Sequence, residues 1–273
     1  MTRPARNVTA KSAPSPYPTS AKSYSIHSIS VTTPSPSTTL AQALAGAIGG
    51  GLPRIDAQML LLHVLGRPGG DRAWLLTHDT DALAPEAHAR FAALCQRRAA
   101  GEPVAYLTGT KEFYGLPLAV DARVLDPRPD TETLVDWALE AIAPLPVPRV
   151  LDLGTGSGAI ALAVQHQRPT AQVTAVDASA DALQVAQANG TRLDLPVRWR
   201  HGHWLQALEE GQVFDAIVSN PPYIASGDAH LAALTHEPLQ ALASGPDGLD
   251  DLRTIVAQAP APLAPGGWLL LEH

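Results

Sequence analysis

The segment Val150-Leu151-Asp152-Leu153-Gly154-Thr155-Gly156-Ser157-Gly158 constrains this chain most: an apolar strand runs into a glycine turn and out into a helix. Glycine permits positive φ and lets a ligand approach the main chain closely. From Arg149 onward the pattern keeps alternating. Strands are expected at 149–153, 172–176, 196–200, 214–219 and 267–271, and helices at 158–167, 179–190 and 248–259. Such alternation builds a parallel sheet covered on both faces, with the apolar run Phe214 to Val218 as a buried central strand. Nineteen residues past Gly158, Asp177 ends the second strand, where a carboxylate can accept both ribose hydroxyls of an adenosine. The turn alone leaves two ligands open. Gly154, Gly156 and Ala159 satisfy the G-x-G-x-x-A pattern of nicotinamide dinucleotide enzymes. Asp152, ahead of the first glycine and within reach of the ligand's cationic end, suits a sulfonium and amino acid better than a pyrophosphate.

The segment Asn220-Pro221-Pro222-Tyr223 follows the fourth strand, at the sheet edge where open α/β sheets bind ligands. An amide nitrogen is a poor nucleophile, so attack on a methyl group requires it to be held in line and near contact. An NH2 group offers two donors and needs two fixed acceptors, here the Asn220 side-chain oxygen and the Pro221 carbonyl. Consecutive prolines restrict φ and remove donors, which aims that carbonyl rigidly. Tyr223 adds an aromatic face for a flat amide. Glycine loop, Asp177 and this segment together point to methyl transfer from S-adenosylmethionine (SAM).

The 273 residues leave room for one large domain or two modest ones. Residues 1–37, rich in Ser, Thr and Pro with no acid, read as a disordered tail, with an organelle transit peptide as the alternative. Residues 38–100 are helical, with Leu40, Leu44 and Ile48 at a spacing of four and Pro85 opening a later helix. Residues 101–129 form a linker whose hairpin strands are expected at 116–120 and 122–125, around Asp121. Residues 130–273 form the SAM-binding domain, its first helix capped by Asp130 or Thr131. A net charge of -7 argues against a broad basic face for nucleic acid, and no apolar run spans a bilayer. The single cysteine, Cys95, excludes an internal disulfide and reads as a small core residue.

With the runs Gly101 to Gly109, Glu112 to Gly115, Pro127 to Glu132 and Glu237-Pro238-Leu239, these motifs resemble the protein-(glutamine-N5) methyltransferases of the HemK/PrmC type, which modify peptide chain release factors. The resemblance covers residues 38–273. It implies a Rossmann-like methyltransferase sheet with a small N-terminal helical domain that helps dock the substrate. It also implies a cytoplasmic monomer acting in translation termination, on a protein and not on nucleic acid. By the same resemblance Gly154, Thr155, Gly156, Ser157, Gly158, Asp177, Trp204 and Asn220 contact SAM. Asn220, Pro221, Pro222 and Tyr223 hold the glutamine of a Gly-Gly-Gln loop, with Asn220, Pro221 and Tyr223 acting in catalysis.

Three departures stand out. His203 replaces an acid before Trp204; with His201 it lacks a third metal ligand, so no metal is expected. Asp126 stands where an apolar residue normally precedes Pro127, and the sequence offers no physical account of it. The chain stops at Leu271-Glu272-His273, where the family continues, so a truncated domain with an exposed strand edge is expected. Alternative functions are a ribosomal-protein glutamine methyltransferase, an adenine-N6 DNA methyltransferase, and a truncated paralogue that binds SAM or a release factor without turnover.

Overall fold

The computed structural model describes residues 38–273, so the tail or transit peptide expected at 1–37 lies outside the described residues. Thr39 closes a capping box with Gln42, each side chain accepting the other's amide at 3.2 and 3.0 Å, and opens helix α1 (Leu40–Gly49). Helices α2 (Arg54–Val64), α3 (Arg72–Thr77) and α4 (Pro85–Ala99) follow, α4 with proline in its first turn. They bury Leu40, Leu60, Leu61, Leu62, Leu75 and Phe91 in one core, with Cys95 at its rim. Short helix α5 (Val104–Thr108) joins two cores, because Leu107 packs on this one and Ala105 on the next.

The hairpin lies one strand earlier than expected. Strands β1 (Thr110–Phe113) and β2 (Leu116–Ala119) pair antiparallel, with Phe113 opposite Leu116. The intervening Tyr114 and Gly115 have φ of 51° and 79°, the positive pair that a tight hairpin turn requires. Positive φ at a tyrosine is unfavourable, and no local pattern announces it. Two bonds to the next helix hold it: the Tyr114 amide donates to Glu132 Oε1 at 2.9 Å, and its hydroxyl donates to Asp136 Oδ1 at 2.6 Å. Asp121 instead closes a turn by accepting the Arg123 amide at 3.0 Å. Helix α6 (Glu132–Ile142) is also entered differently. A 3-10 turn, Pro129–Thr131, leads directly into it, and neither Asp130 nor Thr131 caps it through a side chain.

The sheet follows as β3 (Arg149–Leu153), α7 (Ala159–Gln167), β4 (Gln172–Asp177), α8 (Ala180–Leu193), β5 (Arg198–His201), β6 (Phe214–Ser219), α9 (Asp250–Gln258) and β7 (Leu263–Leu271). Its order is β5-β4-β3-β6-β7 and every pairing is parallel. Alternate residues face opposite layers. Val150, Val173 and Ala216 meet α6, α7 and α8, whereas Leu151, Leu153 and Ile217 meet Trp204 and Ile255. Strand β7 begins at Leu263, ahead of the strand expected at 267–271. Phe214 pairs Leu263 and Ala216 pairs Trp268, with the intervening residues, including Gly266 at φ 78°, bulging out. Strand order reverses between β3 and β6, so the glycine turn after β3 and Asn220 after β6 end side by side. Open α/β sheets bind ligands in the crevice at that reversal.

Candidate active site

A cavity of about 380 Å³ opens at the carboxyl ends of these strands, within the size range of small-molecule sites. Gly154 and Gly156 line it from the glycine turn, Asp177 from the end of β4, and Trp204, Asn220 and Pro222 from the later loops. Gly154 (φ 71°) serves close approach. A Cβ there would stand 3.2 Å from the Trp204 ring, so only glycine leaves space between turn and indole. The indole is fixed at its far side, where Nε1 donates to Asp251 Oδ1 at 3.0 Å.

The other expected turn residues do not reach the cavity. Thr155 turns inward and donates to Asp152 Oδ2 at 2.6 Å. Ser157 is buried, and Gly158 packs where a Cβ would meet Leu162, Trp199 and Ala186 at 3.0–3.3 Å. Asp152 also lies beneath the turn and not at a ligand's edge. Burial pushes its carboxyl up to about 7, against the bonds it accepts from Thr155 and the Ala161 amide, and Asp177 adds to the rise. Its Oδ1 has no partner. Asp177 accepts the Gly156 amide through Oδ2 and the Ser179 amide through Oδ1, both at 2.8 Å. Burial nevertheless holds its carboxyl above the usual range.

A second cavity, about 140 Å³, adjoins the first. Leu125, Asn220, Pro222 and Ala241 line both, and Tyr223 and Arg128 line the second alone. Pro221 is buried behind them. Asn220 therefore stands at the junction. Its Nδ2 donates to Thr131 Oγ1 at 3.1 Å and to Glu272 Oε1 at 2.9 Å. Both donors are thus used, and the side-chain oxygen remains to accept. The backbone beyond is braced: the Ile224 amide donates to the Leu242 carbonyl and the Ser244 amide to that of Ile224, both at 2.9 Å.

Asp126 is held among opposite charges. Its carboxylate faces Lys111 Nζ at 3.3 Å and Arg128 Nη1 at 3.7 Å, and its amide donates to Glu237 Oε2 at 3.2 Å. Arg128 Nη2 donates to Glu237 Oε1 at 2.6 Å. This largely buried cluster ties the hairpin and linker to the segment that braces Asn220. Sequence reasoning missed the contributions of Thr131, Glu272 and Asp251. Thr131 belongs to the Pro127 to Glu132 motif, which was the one available signal. His203 lines the first cavity, while the His201 ring nitrogen meets the Ala178 carbonyl at 3.0 Å. Among the described residues no three His, Cys, Asp or Glu side chains are grouped to hold a metal, and no helix is long and apolar enough to cross a membrane.

Two family models match. Residues 39–109 match the PrmC N-terminal domain and residues 134–271 the Methyltransferase small domain. The chain is 53% identical over 225 residues to a release factor glutamine methyltransferase of Bordetella pertussis, covering 82% of each chain. It is 52% identical over 234 residues to one of Xylella fastidiosa, covering 85% of this chain and 84% of the relative. It is 47% identical over 253 residues to one of Burkholderia pseudomallei, covering 90% and 86%.

Proposed function

We propose that this chain, which belongs to the family of release factor glutamine methyltransferases, methylates the side-chain amide nitrogen of the glutamine in a release factor's Gly-Gly-Gln loop. Its cofactor is S-adenosylmethionine. When bound, SAM supplies a sulfonium methyl group, which an amide nitrogen's lone pair takes up as the sulfur–methyl bond breaks.

The residues fit that cofactor. Asp177 carries a half-buried carboxylate at the cavity wall for ribose hydroxyls, Trp204 offers a fixed indole to the adenine, and the glycine turn leaves room between them. Asp177, at the cavity wall, brings negative potential to a site that takes a cation.

One observation carries the reading: Asn220 sits where the two cavities meet, with its NH2 group fully engaged and its oxygen free. That oxygen takes one hydrogen of the substrate NH2, and the Pro221 carbonyl takes the other. Pro222 and Tyr223 flank the flat amide. The proton released from nitrogen leaves to water, so no strong base is required. The helical part, residues 38–100, docks the release factor, while 101–129 links it to the SAM-binding domain from 130 onward. The reading takes the chain as a cytoplasmic monomer acting on a protein; its net charge of -7 supports a substrate other than nucleic acid.

Asn220→Ala tests it. The variant is expected to fold and to keep SAM affinity within about tenfold by calorimetry, yet to transfer no methyl to release factor. Wild-type turnover by that variant would remove Asn220 from the mechanism.

A further inference from the structure

We infer that Glu272 and Thr131 form a positioning clamp on Asn220, and that the Glu272 carboxylate makes the Asn220 oxygen a stronger acceptor for the substrate amide. This rests on the reading that Asn220 holds the methyl-accepting NH2 group, and it assigns that group's supports.

An asparagine amide has two orientations that fill nearly the same space, and only one presents oxygen to the substrate. Here the back of the amide faces two oxygens, Thr131 Oγ1 at 3.1 Å and Glu272 Oε1 at 2.9 Å. The Asn220 NH2 group carries only donors, so the Thr131 hydroxyl oxygen meets it as an acceptor. Flipping Asn220 would set its oxygen against a carboxylate oxygen and expel the NH2 group into the cavity, where it would repel the substrate's own donors. The clamp therefore selects the productive orientation before substrate arrives.

Glu272 adds charge to geometry. A donor bonded to an anion makes a bond roughly twice as strong as a neutral pair. Amide resonance carries the resulting electron density to Oδ1, and chains of hydrogen bonds polarise one another in this way. A more negative Oδ1 pulls harder on the substrate N–H, while positive charge builds on that nitrogen during attack. The bond matters more in the transition state than before it, the condition for an effect on kcat.

The carboxylate is held in place from several sides. The Glu272 amide donates to the Ser219 carbonyl at 3.1 Å, continuing the β6–β7 ladder past Leu271. Its Oε2 is buried without a partner. Asp130 and Arg128 face it from the turn before α6, and Tyr223 from the segment after β6. Burial raises the carboxyl above the usual range, and Asp130 adds to this against Thr131, Asn220 and Arg128. Protonation of the carboxylate would cancel the polarisation and keep the shape.

Glu272→Gln in the full chain separates charge from shape, because it keeps an amide oxygen for Asn220 Nδ2. Expected results are SAM affinity and release-factor KM within about twofold of wild type, and kcat lower by about tenfold. The acid limb of kcat that Glu272 contributes should vanish from the variant's profile. Glu272→Leu removes the acceptor as well and should lower kcat on the order of 10²-fold. Independently of activity, the Asn220 side-chain NH2 resonances, assigned by their loss in Asn220→Ala, should move upfield in the Gln variant and exchange faster in the Leu variant. Wild-type kcat at every pH in the Gln variant overturns the charge effect. Unmoved Asn220 resonances in the Leu variant overturn the clamp. Should wild type methylate no release factor while those resonances respond as expected, the substrate reading fails and the clamp stands.

Discussion

Gly248→Ala is a small change that should have a large catalytic effect. Gly248 is buried at φ +81°, and a Cβ there would lie 2.4 Å from the Tyr223 carbonyl oxygen and 3.1 Å from the Ala225 nitrogen. Alanine at positive φ costs about 1–2 kcal/mol. The clash adds to that, since both crowded atoms are main chain and have no rotamer to change. Restoring ordinary contact at about 3.4 Å requires the Tyr223 carbonyl to retreat by roughly 1 Å. The Ile224 and Ser226 amides donate hydrogen bonds to the Leu242 and Gly245 carbonyls, so the retreat propagates along the segment that carries Asn220. Misplacement of about 1 Å in a positioning group costs on the order of 10²-fold in rate. The expectation is a stability loss of about 2–3 kcal/mol, kcat on release factor reduced about 10²-fold, and SAM affinity nearly unchanged. Gly154 and Asp177 stand at the ends of β3 and β4 and Trp204 in the turn after β5, away from the displaced carbonyl. Thermal melts, calorimetric SAM titration and turnover measure the three quantities. Gly46→Ala is the control: exposed in α1 with nothing within 4 Å of the added Cβ, it should stabilise by about 0.5–1 kcal/mol without touching kcat. Wild-type turnover in folded Gly248→Ala, or SAM affinity falling together with kcat, would refute the reasoning.

Other perturbations follow from the same geometry. Asp152 titrates near 7 when folded and near 4 when unfolded, so the native state favours the neutral acid; stability should fall as pH rises through that window and level off above it. Between about pH 5 and about pH 8 the loss from this group is about 3 kcal/mol, and urea melts of Asp152→Asn should lack that component. Glu237→Ala removes the nearer carboxylate from Arg128, which keeps only Asp126 at 3.7 Å, and leaves the buried Asp126 amide without its acceptor; it should cost about 1–2 kcal/mol, read as a lowered melting temperature. Trp204→Phe keeps a ring over Gly154 but loses the bond to Asp251, so SAM should bind about fivefold more weakly by calorimetry.

The α/β core was legible because each strand and helix carries its own period. The expected bounds of β3 and β6 are those observed, which put Asn220 and the glycine turn on neighbouring strand ends. The hairpin was misplaced because its turn depends on a tyrosine at positive φ, held by Glu132 and Asp136 from a helix eighteen or more residues away. Three glycines that read alike in sequence have different duties: Gly154 and Gly156 line the cavity, while Gly158 lets α7 pack against Trp199 and Ala186. Thr131, Glu272 and Asp251 were not legible as site residues. They act on Asn220 and Trp204 across 89, 52 and 47 residues, and no local pattern encodes such a contact. Asp126, without an account in the sequence, is explained by Lys111 and Arg128 beside it.

The central claim is that the group held at Asn220 is a glutamine amide of a release factor. Labelled SAM is incubated with this chain and either a release factor or the same factor with its Gly-Gly-Gln glutamine changed to alanine, and the modified peptide is sequenced by fragmentation. The account predicts label on the native factor, on that one glutamine's side-chain nitrogen, and none on the alanine variant. Label persisting on the alanine variant, or appearing instead on DNA or a ribosomal protein, would contradict it.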